Sequence, residues 1–290
     1  MTLSKFDYFA PENIEEASQL LLEMGSGAMV MAGGTDLLVK IRYGMARPRA
    51  IVGLKRIRGL NHIWFDKKKG LAIGATTLLA DVASYPIILK KYPAIAYAAQ
   101  VTGTVQVRNM GTVVGNLCNA APSADNAPTL MAMEAEVIIA SPKGERRLPL
   151  DQFFKGSGLT ALEPGEIVTS VFIPLPPPRS GTSYQHISAR SKVDISAVGV
   201  GVMVTMDGER CEQARITLGA VASTPIRALE AENLIQGENL TPHLMERAGV
   251  VASKEAKPIT DIRATAEYRT RMVAVLTKRA LVEARKRATT

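Results

Sequence analysis

Cysteine and histidine are scarce in this chain, and their scarcity excludes disulfide frameworks and metal centres. Its 290 residues include two cysteines, Cys118 and Cys211, three histidines and one tryptophan. Two cysteines build neither a disulfide framework nor a metal centre, and so few histidines add little to them. Long hydrophobic runs are also missing. The longest, Ala197 to Met206, is interrupted by glycines and reaches only about half a membrane span. The opening MTLSKFDYFAPENIEEAS lacks the basic-then-apolar pattern of a secretory signal. The expectation is a reduced, cytoplasmic protein with no transmembrane segment and no metal site. What is present is ordinary for a globular chain: 47% apolar and 21% charged residues, with a length that predicts roughly two domains.

The net charge of +8 is unevenly placed: from Arg263 onward there are eight basic residues against Glu267 and Glu283. The remainder is close to neutral, so no basic groove is expected. A basic helix can meet nucleic acid or an acidic partner. With no aromatics interleaved for base stacking, a solvated helix face is the plainer reading and nucleic acid is not expected as a partner.

Along the first part of the chain, strand and helix signals alternate. Asn13 and Glu16 form a capping-box pattern, Ile14, Ala17, Leu21 and Met24 recur at helical spacing, and Gly25 stands where the helix should stop. Strands are expected at 28–32, 50–54, 62–66, 71–74, 137–140 and 167–173, and helices at 78–84, 92–101 and 129–133. Pro174-Leu175-Pro176-Pro177-Pro178 suits neither a helix nor a central strand and is the best linker. Beyond it come strands at 183–189, 198–206 and 214–221, with Asp207-Gly208 as a hairpin turn. Helices then follow at 226–235, 242–253 and 264–287. Strands followed by helices suggest a small α+β domain.

Two segments could carry chemistry. Ala32-Gly33-Gly34-Thr35-Asp36 follows a buried strand, and its adjacent glycines permit positive φ and close approach of a ligand to the backbone. Successive N–H groups there suit a phosphate, and a helix beginning at Leu37 would add its N-terminal partial charge. The segment is neither a Walker loop nor a Gly-x-Gly-x-x-Gly fingerprint, and a plain strand-to-helix turn is the alternative. The second segment, residues 106–125, lies in a stretch (102–129) dense in glycine, asparagine and proline, and a loop of that length in a compact domain is usually functional. Within it Gly111 and Gly115 permit close approach, while Thr112, Asn116, Ser123 and Asp125 offer hydrogen bonds to a hydroxylated ligand. Some of these instead cap helices, Asp125 before Pro128 among them. Arg108 suits a structural role on carbonyls or a carboxylate.

The pair AGGTDLL (32–38) and QVRNMGTVVGNLCNAAPSAD (106–125) resembles the FAD-binding medium subunit of the molybdenum hydroxylases, the carbon monoxide and xanthine dehydrogenase family. The likeness extends over essentially the whole chain, through Phe153-Phe154-Lys155-Gly156, Leu162 to Val168, Arg190 with Asp194-Ile195, and Ala266 to Met272. It departs at Val114, where the family usually has a second glycine.

The resemblance implies an α+β fold. A two-part FAD-binding domain of the vanillyl-alcohol oxidase/MurB (PCMH) type would cover residues 1–176. A smaller C-terminal α+β domain, with an antiparallel sheet and helices, would cover 177–290. The implied FAD set is Ala32, Gly33, Gly34, Thr35, Asp36, Leu37, Thr102, Gly111, Thr112, Val113, Val114, Gly115, Asn116, Asp125, Val168 and His186. Residues 32–36 and 111–115 would wrap the pyrophosphate and adjoining sugar chain, Asn116 and Asp125 would hydrogen-bond nearby parts of FAD, Thr102 would line the pocket, and Val168 would pack on adenine or the neighbouring loop. His186 stands where relatives carry a lysine near the flavin, and Lys192 with the 191–195 loop would border the isoalloxazine. No residue is expected to act as an acid–base catalyst. The implied assembly pairs this flavin subunit with a large molybdenum-cofactor subunit and a small [2Fe-2S] subunit as a dimer of heterotrimers. A self-sufficient FAD oxidoreductase of MurB type is the alternative.

Overall fold

A computed structural model of the chain describes residues 5–190 and 193–289. It opens with β1 (Asp7–Phe9), α1 (Ile14–Met24), β2 (Ala28–Met31), α2 (Leu37–Arg42) and β3 (Ala50–Gly53). The three strands form a parallel sheet in the order β1-β3-β2. Asn13 caps α1 by accepting from Glu16 N–H at 2.8 Å, while the Glu16 carboxylate reaches Glu12 N–H rather than that of Asn13, so half of the expected capping box forms. Gly25, at φ 53°, ends the helix.

The chain continues through β4 (Ile63–Asp66), β5 (Gly70–Gly74), α3 (Leu79–Ser84), α4 (Pro86–Lys91), α5 (Pro93–Val101), α6 (Val105–Arg108), α7 (Val113–Cys118) and α8 (Asn126–Ala132). It then runs through β6 (Glu136–Ser141), β7 (Gly144–Pro149), α9 (Leu150–Phe153), β8 (Phe154–Gly156), β9 (Leu159–Thr160) and β10 (Ile167–Pro174). Five of these strands make an antiparallel sheet, β4-β5-β10-β6-β7. The stretch 102–129, expected to hold one long loop at 106–125, instead contains α6, α7 and the start of α8. Threonines 104 and 112 cap α6 and α7 by accepting from N–H groups three residues on. Asp125 precedes α8 but makes no capping bond. Helices this short show no periodicity for a sequence reading to find.

The proline-rich segment separates β10 from a second antiparallel sheet, β11 (Ser180–Ser188), β12 (Ser196–Asp207), β13 (Arg210–Gly219) and β14 (Ile226–Arg227), in that order. Helices α10 (Leu229–Ile235), α11 (Pro242–Glu255) and α12 (Ala266–Ala288) follow. The expected helix at 226–235 therefore starts three residues late, because Ile226 and Arg227 pair with Leu218 and Thr217.

Strand periodicity explains why β12 is buried on both faces. Val198, Val200, Val202, Val204 and Met206 enter the second core, whereas Met203 belongs to the first. Gly201 and Gly219 lie directly against Pro128 of α8. The apolar, glycine-broken run is thus a strand pressed between two cores. Helix α12 is less solvated than its charge suggested. Arg269 is buried, Arg285 donates to Leu240 C=O at 2.9 Å, Arg287 donates to Thr182 C=O at 2.6 Å, and Lys278 pairs with Glu246 at 2.8 Å. Among the described residues no helix is long and apolar enough to cross a membrane.

Candidate functional site

The chain leaves β2 directly into Ala32-Gly33-Gly34. Gly34 has φ +73°, a conformation that L side chains rarely adopt. Gly33 is required for a different reason: a Cβ there would collide with the Met110 carbonyl oxygen and come within 2.8 Å of Gly111 Cα. The two glycine segments, 77 residues apart at Gly34 and Gly111, therefore abut backbone to backbone. Leu79 N–H donates to Gly111 C=O at 2.9 Å, fixing the second segment to α3.

Between them opens a cleft of about 270 Å³, whose rim is formed by β2, α2, the end of α5, α7 and the start of β10. Its lining contains Ala32, Gly33, Gly34, Thr35, Asp36, Leu37, Thr102, Gly111, Thr112, Val114, Gly115, Asn116 and Val168. Val113, Asp125 and His186 are absent from that lining. Val113 is fully buried and faces the first core, anchoring α7 from behind. Ser191 and Lys192 lie outside the described residues. Arg108 donates to Gly103 C=O at 2.8 Å and so braces the backbone.

Hydrogen bonds decide what the cleft wall offers. The Asn126 amide, almost wholly buried, donates from Nδ2 to Thr102 Oγ1 at 3.1 Å and to Asn116 Oδ1 at 3.0 Å. Thr102 Oγ1 gives its one proton to Ala98 C=O at 2.8 Å, so it has none to give a ligand. With its oxygen engaged, Asn116 has its amide nitrogen left for a ligand. The Oδ1 of Asn126 is buried without a partner. Thr112 Oγ1 accepts from Gly115 N–H at 2.9 Å.

The charged groups of the lining are Lys40, Asp36 and Glu166. Glu166 is held below the usual carboxylate range chiefly by two hydrogen bonds from Arg146, at 2.6 and 2.7 Å. Cys118 also faces the cleft, but burial pushes its thiol up to about 12, so it is not a thiolate at neutral pH. Lys40, Asn119, Glu166 and the apolar Leu54, Leu79 and Leu162 also line the cleft; Asn119, Leu162 and Glu166 fall in segments that carry the family resemblance, but no cofactor role was expected of them. Lys40 carries no sequence signal beyond its i, i+4 spacing from Asp36, which is shared by any solvated helix face.

Asp125, the residue just before Asn126, and His186 form a second cluster where the two cores meet. Asp125 Oδ1 accepts from Tyr184 Oη at 2.7 Å and from Ser196 Oγ at 2.5 Å, and Ser196 Oγ lies 3.3 Å from His186 Nδ1. The Tyr184 and His186 rings stack 5.8 Å apart and within 4° of parallel. Burial raises the pKa of Asp125, and burial, reinforced by the Asp125 charge, puts Tyr184 well above its ordinary value.

Comparison with known proteins places this geometry. Residues 4–176 match the family described as FAD binding domain in molybdopterin dehydrogenase, and residues 183–284 match the CO dehydrogenase flavoprotein C-terminal domain. The carbon monoxide dehydrogenase medium chain of Hydrogenophaga pseudoflava is 32% identical over 277 residues, covering 96% of each chain. The xanthine dehydrogenase FAD-binding subunit of Escherichia coli O157:H7 is 30% identical over 278 residues, covering 96% of this chain and 95% of its own. Among solved structures, reconstituted CO dehydrogenase from Oligotropha carboxidovorans superimposes with a TM-score of 0.94 at 32% identity, covering 99% of this chain and all of the matched one.

Proposed function

Because the chain belongs to the family of FAD-binding subunits of molybdopterin dehydrogenases, the flavoproteins of the carbon monoxide and xanthine dehydrogenase group, we propose that it is the electron-transferring flavin subunit of a molybdenum hydroxylase. Its cofactor is FAD and it is an oxidoreductase component. In this proposal it accepts electrons from iron–sulfur clusters of a small [2Fe-2S] subunit and delivers them to an external acceptor. Substrate oxidation takes place on a large molybdenum-cofactor subunit, and the assembly is a cytoplasmic dimer of heterotrimers. The single observation that carries the reading is the side-by-side packing of the two glycine segments around one cleft.

The residues present fit the cofactor. With no Cβ at residue 33, the Met110–Gly111 backbone packs directly against Gly33, which brings both glycine segments to one cleft where a diphosphate would meet their backbone N–H groups. In the proposed site, residues 32–36 and 111–115 take the diphosphate, and Leu37 closes the turn. Asn116 donates from Nδ2, Thr102 presents its methyl group, and Val114 and Val168 supply apolar wall. At Val114 the side chain is buried, so the residue in place of the usual glycine adds bulk to the wall rather than to the open space. Val113 supports α7, while Asp125 and His186 hold the joint beside Asn126. The cleft is smaller than most ligand pockets, so part of a dinucleotide would extend beyond it.

When bound, FAD supplies a redox centre that exchanges electrons singly or in pairs. The chain's task is then to bind, orient and shield it. Two titratable groups of the lining are not poised for proton transfer, since Glu166 is committed to Arg146 and the Cys118 thiol stays protonated. The self-sufficient alternative is not favoured, because the relatives are named as a medium chain and an FAD-binding subunit. Purification of the chain from its source should yield yellow protein with a flavin spectrum, accompanied by two further chains. A colourless chain that takes up no added FAD would overturn the flavoprotein reading. A yellow chain that purifies alone and is not reduced by any iron–sulfur partner would overturn the subunit reading.

A further inference from the structure

Among the described residues, the cleft lining holds a positive charge that forms no ion pair. Among the described residues of the lining, Lys40 is the only cation. Of the two acids beside it, Glu166 is occupied by Arg146 and by Glu163 N–H at 2.7 Å. Asp36 sits one helical turn earlier and forms no ion pair with the lysine. The ammonium donates once, to the neutral Asn119 Oδ1 at 2.6 Å. An ammonium has three donors, so two are left for a ligand, and the bond to Asn119 already holds the long side chain in place.

We propose that Lys40 binds a phosphate of the dinucleotide, with Asn119 positioning its ammonium. The assignment rests on the FAD reading above. A diphosphate drawn against residues 32–36 and 111–115 loses part of its hydration, and an unpaired charge in a half-screened site is costly. Backbone N–H groups there supply hydrogen bonds but no net charge. A lysine on the cleft wall supplies that charge, and its compact ammonium suits a phosphate as a point charge. Both the isoalloxazine and adenine are uncharged at neutral pH and would gain far less from it.

The test uses the full chain freed of cofactor, with FAD and riboflavin as probes, because riboflavin carries no phosphate. Binding is read from flavin fluorescence. For Lys40→Met, FAD should bind about tenfold more weakly or worse, the loss expected for a charge-assisted hydrogen bond. Riboflavin should bind within about twofold of wild type, and added salt should weaken FAD binding less than in wild type. Lys40→Arg should retain FAD to within about threefold, and Asn119→Ala should show a smaller loss than Lys40→Met. The assignment is overturned if Lys40→Met binds FAD as wild type does with the same salt dependence. It is equally overturned if FAD and riboflavin lose affinity in the same proportion, which would mark a packing defect. A wild-type chain that binds no FAD overturns the flavoprotein reading and this assignment with it.

Discussion

Two neighbouring glycines serve different physical ends. Gly34 is needed for its left-handed backbone, Gly33 for the absence of a side chain facing the Met110 carbonyl. At Gly33→Ala the clash is with backbone, which cannot rotate away, so the segments at 33 and 110–111 would be forced apart. Unfolding free energy should fall by about 1–3 kcal/mol, and FAD affinity by more than about tenfold as the cradle loses its shape. Gly156→Ala is the control: its nearest neighbour would be Leu159 Cδ1 at 3.5 Å, an ordinary contact, and stability should stay within about 0.5 kcal/mol of wild type. Thermal melts and FAD titrations of both variants check this. A Gly-Gly pair after an apolar run is readable in sequence because glycine has few other uses there. Lys40 is not, since its partner Asn119 lies 79 residues away and a lone lysine on a short helix reads as surface.

Regular elements were legible to the extent that they were long. Helices α11 and α12 lie within two or three residues of their expected spans, and the Asp207-Gly208 hairpin stands where the turn signal put it, with Asp207 paired to Arg210. The partners that Arg269, Lys278, Arg285 and Arg287 find outside α12 were not legible, because they are carbonyls and carboxylates of other segments. Arg269 shows the consequence. Its guanidinium is buried and donates to Ala197 and Ala220 carbonyls at 2.7 and 3.0 Å and to Asp261 at 2.6 Å. Asp261 in turn accepts from Arg263 N–H at 2.8 Å, and these bonds hold its carboxyl at about 2 against an ordinary 3.8. A carboxyl with a depressed native pKa stabilises the fold above its unfolded value, and that stability is lost as pH falls through the native one. Asp261→Asn should therefore melt below wild type at neutral pH. The gap should narrow as pH falls from about 4 towards about 2, because wild type loses the charge that the variant never had. Melting temperatures of the two proteins across that range decide it, and a gap independent of pH would show that the charge of Asp261 is not what stabilises the loop.

At the scale of the molecule, the two cores meet through α8 and β12, and the meeting is close because glycines line it. A Cβ on Gly201 would come within 2.5–2.8 Å of Pro128 C=O and Thr129 N, all backbone atoms. The sequence displayed the glycines in the 197–206 run but not their purpose, which depends on a helix some 70 residues earlier in the chain crossing that strand. The same helix begins at Asn126, whose amide ties Thr102 to Asn116 in the cleft wall. The residue just before it, Asp125, accepts from Tyr184 and Ser196 across the joint. Packing at the joint and hydrogen bonding in the cleft are thus carried by one rigid seven-residue element. Gly201→Ala should push α8 off β12, lower stability by about 1–3 kcal/mol, and weaken FAD binding although residue 201 is not part of the cleft lining. Riboflavin and FAD should weaken in similar proportion here, unlike at Lys40, since the displaced Asn126 disturbs the wall and not the countercharge. Parallel melts and titrations separate the two effects: a lower melting temperature with unaltered FAD affinity would mean that the cleft holds its shape independently of the joint, and that α8 does not couple them.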